Sequence, residues 1–189
     1  SEQVISDAEI RKILVDRVDR YRQTVRIVVG VIEPRGRRVV AYGHLNQGDN
    51  RVLDGDTVFE IGSISKVFTS LLLADMVKRG EVALEDPVAK YLPSGVKVPQ
   101  SKSRQITLLD LATHMSGLPH EAWNFKPDWQ NWENGYSEES LYEFLASYQL
   151  TEDIGSENEY SNVGMSLLGI ALRRRIDRDS ARRSPADRF

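Results

Sequence analysis

The chain has 189 residues, 40% of them apolar and 28% charged, the proportions of an ordinary globular protein rather than a disordered one. That length fits one domain or one and a half and buries roughly 70% of the unfolded surface, so a core forms without staples. Zero cysteines exclude a disulfide scaffold, a thiolate zinc site and a cysteine nucleophile.

The net charge of −3 is unevenly spread. From Arg173 to Phe189 seven arginines meet three aspartates, a local balance of +4, and the preceding residues carry −7. No general basic surface results, so nucleic acid is not an expected partner. The densest apolar stretches, Ile27 to Ile32 and Leu71 to Ala74, fall far short of a membrane span. The first residue is Ser1 and the methionines are Met76, Met115 and Met165, so the native start is expected upstream. If a signal peptide has been removed, the setting is periplasmic or secreted.

Ser6 and Glu9 form a capping box ahead of Ile10, Ile13, Leu14, Val18 and Tyr21, which predicts an amphipathic helix over about 7–22. Thr24 to Ile32 is rich in β-branched residues, Pro34 to Gly36 is a turn, and Arg38 to Leu45 is a second strand; together they predict a hairpin. Asn46 to Asp56 is a polar loop. Val67, Phe68, Leu71, Leu72 and Val77 then recur at helical spacing, with Gly80 placed to stop the helix. Pro87 opens a short helical turn toward Tyr91, and Pro93 to Pro99 is a loop. Thr107 caps a helix carrying Leu108, Leu111 and Ala112 and ending at Gly117. Leu118 to Tyr136 is long and irregular, with Trp123, Trp129 and Trp132 as candidate lining for an acyl or ester pocket, surface packing being the alternative. Ser137 caps a helix to about Tyr148, and Asn162 to Arg175 is the last helix, with Met165, Leu168, Ala171 and Leu172 on one face. No internal repeat is present, and residues 176–189 read as a frayed or disordered tail.

The strongest chemical signal is Gly62-Ser63-Ile64-Ser65-Lys66 at the start of an apolar helix. Three residues of helix place Ser63 and Lys66 on one face, about 5–6 Å apart at Cβ. A serine hydroxyl becomes a nucleophile when a neighbouring base takes its proton, and an amine can do so. The helix start adds backbone N–H groups where negative charge would develop. The same residues also fit an N-capping serine followed by a solvated lysine. Ser65 competes as nucleophile, but Lys66 is its immediate neighbour and faces away from it. The second signal is Tyr160-Ser161-Asn162, ahead of the last helix: a phenol becomes a useful base only beside cations, and Lys66 would be one if the two helices meet. Asn162 could hold that lysine or a substrate amide. Alone, this segment also fits a tyrosine before a helix cap. His114, His120 and Glu121 lack a recognised zinc spacing, and His114 is expected to hydrogen-bond within a buried turn, so no metal and no cofactor is expected.

Four stretches, Phe59 to Thr69, Leu84 to Val88 with Tyr91-Leu92-Pro93, Leu111 to Pro119, and Tyr160-Ser161-Asn162, closely resemble the class C β-lactamase and penicillin-binding-protein-like serine hydrolases, in that family's order and at similar separations over about residues 5–175. The resemblance implies a β-lactamase-like α/β fold of the α+β type, here truncated to a mainly helical domain plus an incomplete antiparallel sheet. Residues 1–50 would give the helix and hairpin and 51–175 the helical part. It implies Ser63 as the acylated nucleophile, Lys66 as its proton-transfer partner, Tyr160 as general base and then acid, Asn162 as a substrate and lysine contact, and the Ser63 N–H as half of an oxyanion hole. A β-lactam is the expected substrate, with a D-alanyl peptide or small ester as alternatives; the contrasting expectation is a fragment that binds but turns nothing over. The family's third motif, Lys-Ser/Thr-Gly or His-x-Gly on a downstream strand, does not follow Tyr160, and Lys78-Arg79-Gly80 is a helix end. The chain therefore reads as an amino-terminal half with a foreign or truncated tail, whose lone hairpin, marginal in water, is expected to drive a homodimer through its exposed edge.

Overall fold

The computed structural model describes residues 5–34, 36–45, 49, 51–101, 104–126 and 135–182. Two compact units emerge, Ser1–Glu60 and Ile61–Phe189, so the boundary falls ten residues beyond the position expected.

The first unit holds α1 (Asp7–Val15), extended by a π-helical turn over Asp16–Arg20, and the strands β1 (Arg26–Glu33) and β2 (Gly36–Gly43). The Ser6/Glu9 capping box forms as expected, the Ser6 hydroxyl accepting from Glu9 N–H while the Glu9 carboxylate accepts from Ser6 N–H at 2.9 Å. The strands pair antiparallel with Val29 opposite Val40 and Ile27 opposite Tyr42. Period-2 alternation sends Ile27, Val29, Val31, Val40 and Tyr42 to one face, where Ile10 and Leu14 of α1 cover them. Polar contacts fix that packing: the Tyr42 hydroxyl donates to Asp19 at 2.6 Å, and Arg38 pairs with both Asp7 and Glu33. On the opposite face Ile32 is 90% exposed, while Val28 and Ala41 are half-buried.

The second unit begins with a 3-10 turn over Gly62–Ile64 and continues as α2 (Ser65–Lys78), a 3-10 turn over Val88–Tyr91, the two-residue strands β3 (Gln100–Ser101) and β4 (Arg104–Gln105), α3 (Leu108–Ala112), α4 (Glu138–Ser147) and α5 (Asn162–Arg182). Its centre is α5, whose Leu167, Leu168, Ala171 and Leu172 are fully buried against Leu73 and Met76 of α2, Leu108 and Leu111 of α3 and Phe144 of α4. Burial of side chains of this size stabilises by about 1.5–3 kcal/mol each. Residues 176–182 continue α5 as helix, where a frayed tail was expected; residues 183–189 lie outside the described residues. Among the described residues no helix is long and apolar enough to cross a membrane.

Two features depart from the sequence expectation. First, Val67, Phe68, Leu71 and Leu72 are not the packed face of α2; they are exposed, and Leu73 and Met76 are buried instead. The helix is apolar on more than one side, so its periodicity could not single out the face that meets α5. Second, α3 stops at Ala112 rather than Gly117, because His114 adopts a left-handed backbone, φ 59°, which ends the helical ladder. The stop of α2 matches the expectation. Gly80, φ 71°, closes a Schellman motif in which Glu81 N–H donates to Met76 carbonyl at 3.0 Å and Gly80 N–H to Val77 carbonyl at 2.9 Å.

The cap of α3 is the structural knot of this unit. Asp110 is buried, and its carboxylate accepts from the Thr107 hydroxyl at 2.7 Å, from Thr107 N–H at 2.9 Å and from the Arg104 guanidinium at 2.7 Å. Arg104 also donates to the Ile154 carbonyl at 2.9 Å, tying the segment that precedes α5 to the same carboxylate. Gly155 is required there: φ is 87°, and a Cβ would lie 2.6 Å from the Arg104 guanidinium. Asp110→Ala is expected to cost about 2 kcal/mol, because it leaves the buried Thr107 N–H unpaired, read as a lower urea midpoint; a loss within experimental error would show that the knot contributes nothing.

Candidate active site

The local sequence builds the site from two turns. At Gly62, φ 51°, a conformation open to glycine swings the chain into the 3-10 turn, so Ser63 sits on that turn and Lys66 one helical turn later on α2. Lys66 Nζ donates to Ser63 Oγ at 3.2 Å. From the far end of the sequence, Tyr160 donates its hydroxyl to the same Ser63 Oγ at 2.7 Å. The Lys66 ammonium lies 4.9 Å from the centre of the Tyr160 ring, within cation–π range. The structure thus brings Ser63, Lys66 and Tyr160 together around one oxygen. Ser63 is exposed and Tyr160 is 42% exposed, so the group faces solvent.

The electrostatics follow from that arrangement. The pKa of Tyr160 is lowered from the ordinary phenol value, chiefly by the Lys66 ammonium beside it and then by the Ser63 hydroxyl, with partial burial and the Glu121 carboxylate opposing. A deprotonated phenol at 2.7 Å would take the Ser63 proton along the existing hydrogen bond.

Asn162 stands beside this group, held differently from the expectation. Its side-chain amide donates to Glu121 Oε1 at 2.5 Å and lies 3.5 Å from His120 Nε2, and its backbone N–H donates to the His120 carbonyl at 3.0 Å; it makes no hydrogen bond to Lys66. Asn162, Lys66 and Glu121 share the wall of a cavity of about 460 Å³ between α2 and α5, whose apolar lining includes Phe125, Tyr136 and Leu141. Trp123 is exposed and takes no part in that lining, its indole N–H donating to Ser147. Trp129 and Trp132 lie outside the described residues.

What holds the tyrosine segment in place is the turn over residues 113–120, of which the sequence pointed to the hydrogen-bonding His114 but not to the partner segment. Residues 113–120 and 155–162 are laced together: Gly155 N–H donates to Met115 carbonyl at 2.8 Å, the Asn158 amide to Thr113 carbonyl at 2.7 Å and Glu159 N–H to His114 carbonyl at 2.9 Å. Ser161, fully buried, donates its hydroxyl to the Pro119 carbonyl at 2.7 Å and accepts from Gly164 N–H at 2.9 Å, capping α5. Its backbone N–H donates to His114 Nδ1 at 3.1 Å. Glu121 and His114 are the neighbours of the site that the sequence did not assign; the Leu111 to Pro119 stretch was the one signal pointing to the turn.

Comparison with known proteins gives a consistent picture. A family model described as Beta-lactamase matches residues 13–188. The D-alanyl-D-alanine-carboxypeptidase/endopeptidase AmpH of Escherichia coli (strain K12) is 34% identical over 167 residues, 83% of this chain and 42% of that protein. A Beta-lactamase of the same strain is 33% identical over 129 residues, 68% of this chain and 31% of that protein. Among solved structures, a beta-lactamase/D-alanine carboxypeptidase from Yersinia pestis superposes with a TM-score of 0.69 at 28% identity, over 91% of this chain and 50% of that one. A class C beta lactamase from Rhodobacter sphaeroides gives a TM-score of 0.66 at 31% identity, over 87% of this chain and 43% of that one. The chain therefore spans less than half the length of these curated relatives.

If the ammonium sets the phenol, Tyr160 should ionise below ordinary tyrosines, and Lys66→Met should raise its midpoint toward the usual phenol value. Ultraviolet difference titration against Tyr160→Phe isolates this one phenol among seven tyrosines; an unmoved midpoint in Lys66→Met would remove the ammonium as the cause.

Proposed function

The chain belongs to the beta-lactamase family, and from that premise we propose that it carries the acyl-enzyme machinery of a serine hydrolase, with Ser63 as nucleophile, Lys66 and Tyr160 as its proton-transfer partners and Asn162 as a substrate contact. One observation carries the reading: Ser63 Oγ is shared by Lys66 Nζ at 3.2 Å and the Tyr160 hydroxyl at 2.7 Å. In the step so built, Ser63 Oγ attacks the carbonyl carbon of the substrate amide and its proton passes to the Tyr160 phenolate, Lys66 stabilising that charge. The C–N bond breaks as Tyr160 returns the proton to the leaving nitrogen. Water, deprotonated by the same phenolate, then hydrolyses the ester and frees Ser63.

A β-lactam amide is the substrate this reading favours, with a D-alanyl peptide or a small ester served by the same chemistry. Support comes from relatives whose names cover a beta-lactamase and a D-alanyl-D-alanine carboxypeptidase. The cavity beside Lys66 offers Phe125, Tyr136 and Leu141 to an apolar acyl substituent, and its lining includes Asn162 as a polar contact for a carbonyl. The Ser63 N–H serves as one oxyanion donor. The resemblance assigns the second to a third-motif strand, and no such motif follows Tyr160 in these 189 residues; one such donor is worth about 10²–10³ in rate. A periplasmic or secreted setting belongs to the same proposal.

Incubation with nitrocefin and a fluorescent penicillin, followed by intact mass, tests the reading. The expected result is a single acyl adduct on the wild-type chain, with or without turnover, and none on Ser63→Ala; an adduct without turnover marks a penicillin-binding role. Neither signal in a folded sample overturns the reading in favour of a silent fragment, and activity that survives Ser63→Ala but is lost with chelator overturns it in favour of a metal hydrolase.

We further propose that the chain self-associates through the outer edge of the β1–β2 hairpin, as a strand-exchanged dimer. A two-stranded sheet leaves unpaired backbone groups along its outer edges, and α1 covers one of its faces but neither edge. Light scattering at micromolar concentration is expected to give twice the 21.4 kDa of the chain, and a monomeric mass there would rule the dimer out.

A further inference from the structure

We propose that His114 is the positioning residue of the site: its Nδ1 holds the backbone of Ser161, and that single acceptor fixes where the Tyr160 phenol meets Ser63. The inference rests on the acyl-transfer reading of Ser63 and Tyr160 and adds to it the group that sets their distance.

Three observations converge on this residue. Ser161 N–H, in a fully buried residue, donates to His114 Nδ1 at 3.1 Å. The His114 and Tyr160 ring centroids are 4.7 Å apart and tilted by 35°, an offset stack. The backbone of His114 lies in the left-handed region, φ 59°, shared among non-glycine residues described only by Arg22. Such a conformation is costly for a residue with a Cβ and persists where the surroundings over-determine it. Here they do: the His114 carbonyl accepts from Glu159 N–H at 2.9 Å, so donors from the residues on both sides of Tyr160 end on one histidine.

The contact specifies a protonation state. An Nδ1 that accepts from an amide must carry a lone pair, so the ring is neutral with its proton on Nε2. Burial, and then the Lys66 charge, lower the pKa of His114, which agrees with a neutral ring. Without the acceptor, a buried Ser161 N–H is left unpaired and the tyrosine loses its register against Lys66 and Ser63. Misplacement of a reacting group by about 1 Å can cost on the order of 100-fold in rate.

Two substitutions separate the acceptor from the ring. His114→Asn keeps an acceptor in the place of Nδ1 and tolerates the left-handed backbone; His114→Phe keeps the ring and removes the acceptor. In the full chain, His114→Asn is expected to hold penicillin acylation within about threefold of wild type, and His114→Phe to lose tenfold or more, with the Tyr160 ionisation midpoint moving up only in His114→Phe. Equal behaviour of the two variants, in either direction, overturns the inference. The phenol titration reads the position of Tyr160 whether or not the chain is acylated, so a wild-type chain that takes no penicillin would count against the acyl-transfer reading alone. The unaltered protein supplies a further check should either variant fail to fold: ¹⁵N resonances of His114 are expected to show the Nε2–H tautomer, and a proton on Nδ1 would overturn the inference directly.

Discussion

The site depends on one backbone constraint: the segment 155–162 is laid down on the turn 113–120 by hydrogen bonds at Gly155, Asn158, Glu159, Ser161 and Asn162. Tyr160 is a side chain in the middle of that lacing, and its reach to Ser63 follows from where the lacing puts its Cα. Neither segment could hold such a conformation alone, because both run outside regular secondary structure and must find partners for buried polar groups elsewhere. Each supplies the other's partners.

This explains how a nucleophile and a phenol 97 positions apart meet at 2.7 Å. The α2 helix is fixed by Leu73 and Met76 against α5, and α5 is capped by Ser161, the neighbour of Tyr160. Position passes from core to cap to phenol through short, stiff links. The charge of Lys66 then acts on a phenol already in place, lowering its pKa and stacking against its face.

Much of this was legible in the sequence. The capping box at Ser6, the cap at Thr107, the hairpin, the short turn after Pro87 and the glycine stop at Gly80 each follow from local chemistry that tertiary packing had no reason to override. Helical spacing placed Ser63 and Lys66 on one face, but only the family resemblance joined Tyr160 to them, because the Tyr-Ser-Asn segment alone fits a helix cap equally well. What stayed hidden depends on contacts across the fold. Which of the apolar sides of α2 meets α5 is decided by shape, not period. That Asn162 leans on Glu121 rather than Lys66 is decided by which carboxylate the 118–122 loop presents. The end of α3 was hidden because histidine gives little local warning of a left-handed backbone, whereas glycine would have announced it.

The buried carboxylate of Asp110 reaches further than its helix cap. Through Arg104 it grips the Ile154 carbonyl, one residue before the glycine that starts the lacing. Breathing of the tyrosine segment from that end would therefore have to give up the contact to a guanidinium that the buried Asp110 carboxylate holds in place. The floor of the site is denied the small openings that loops usually enjoy, and any accommodation to ligands of different shape falls to the solvent-facing side, where Ser63 and the exposed flank of α2 stand free of such ties.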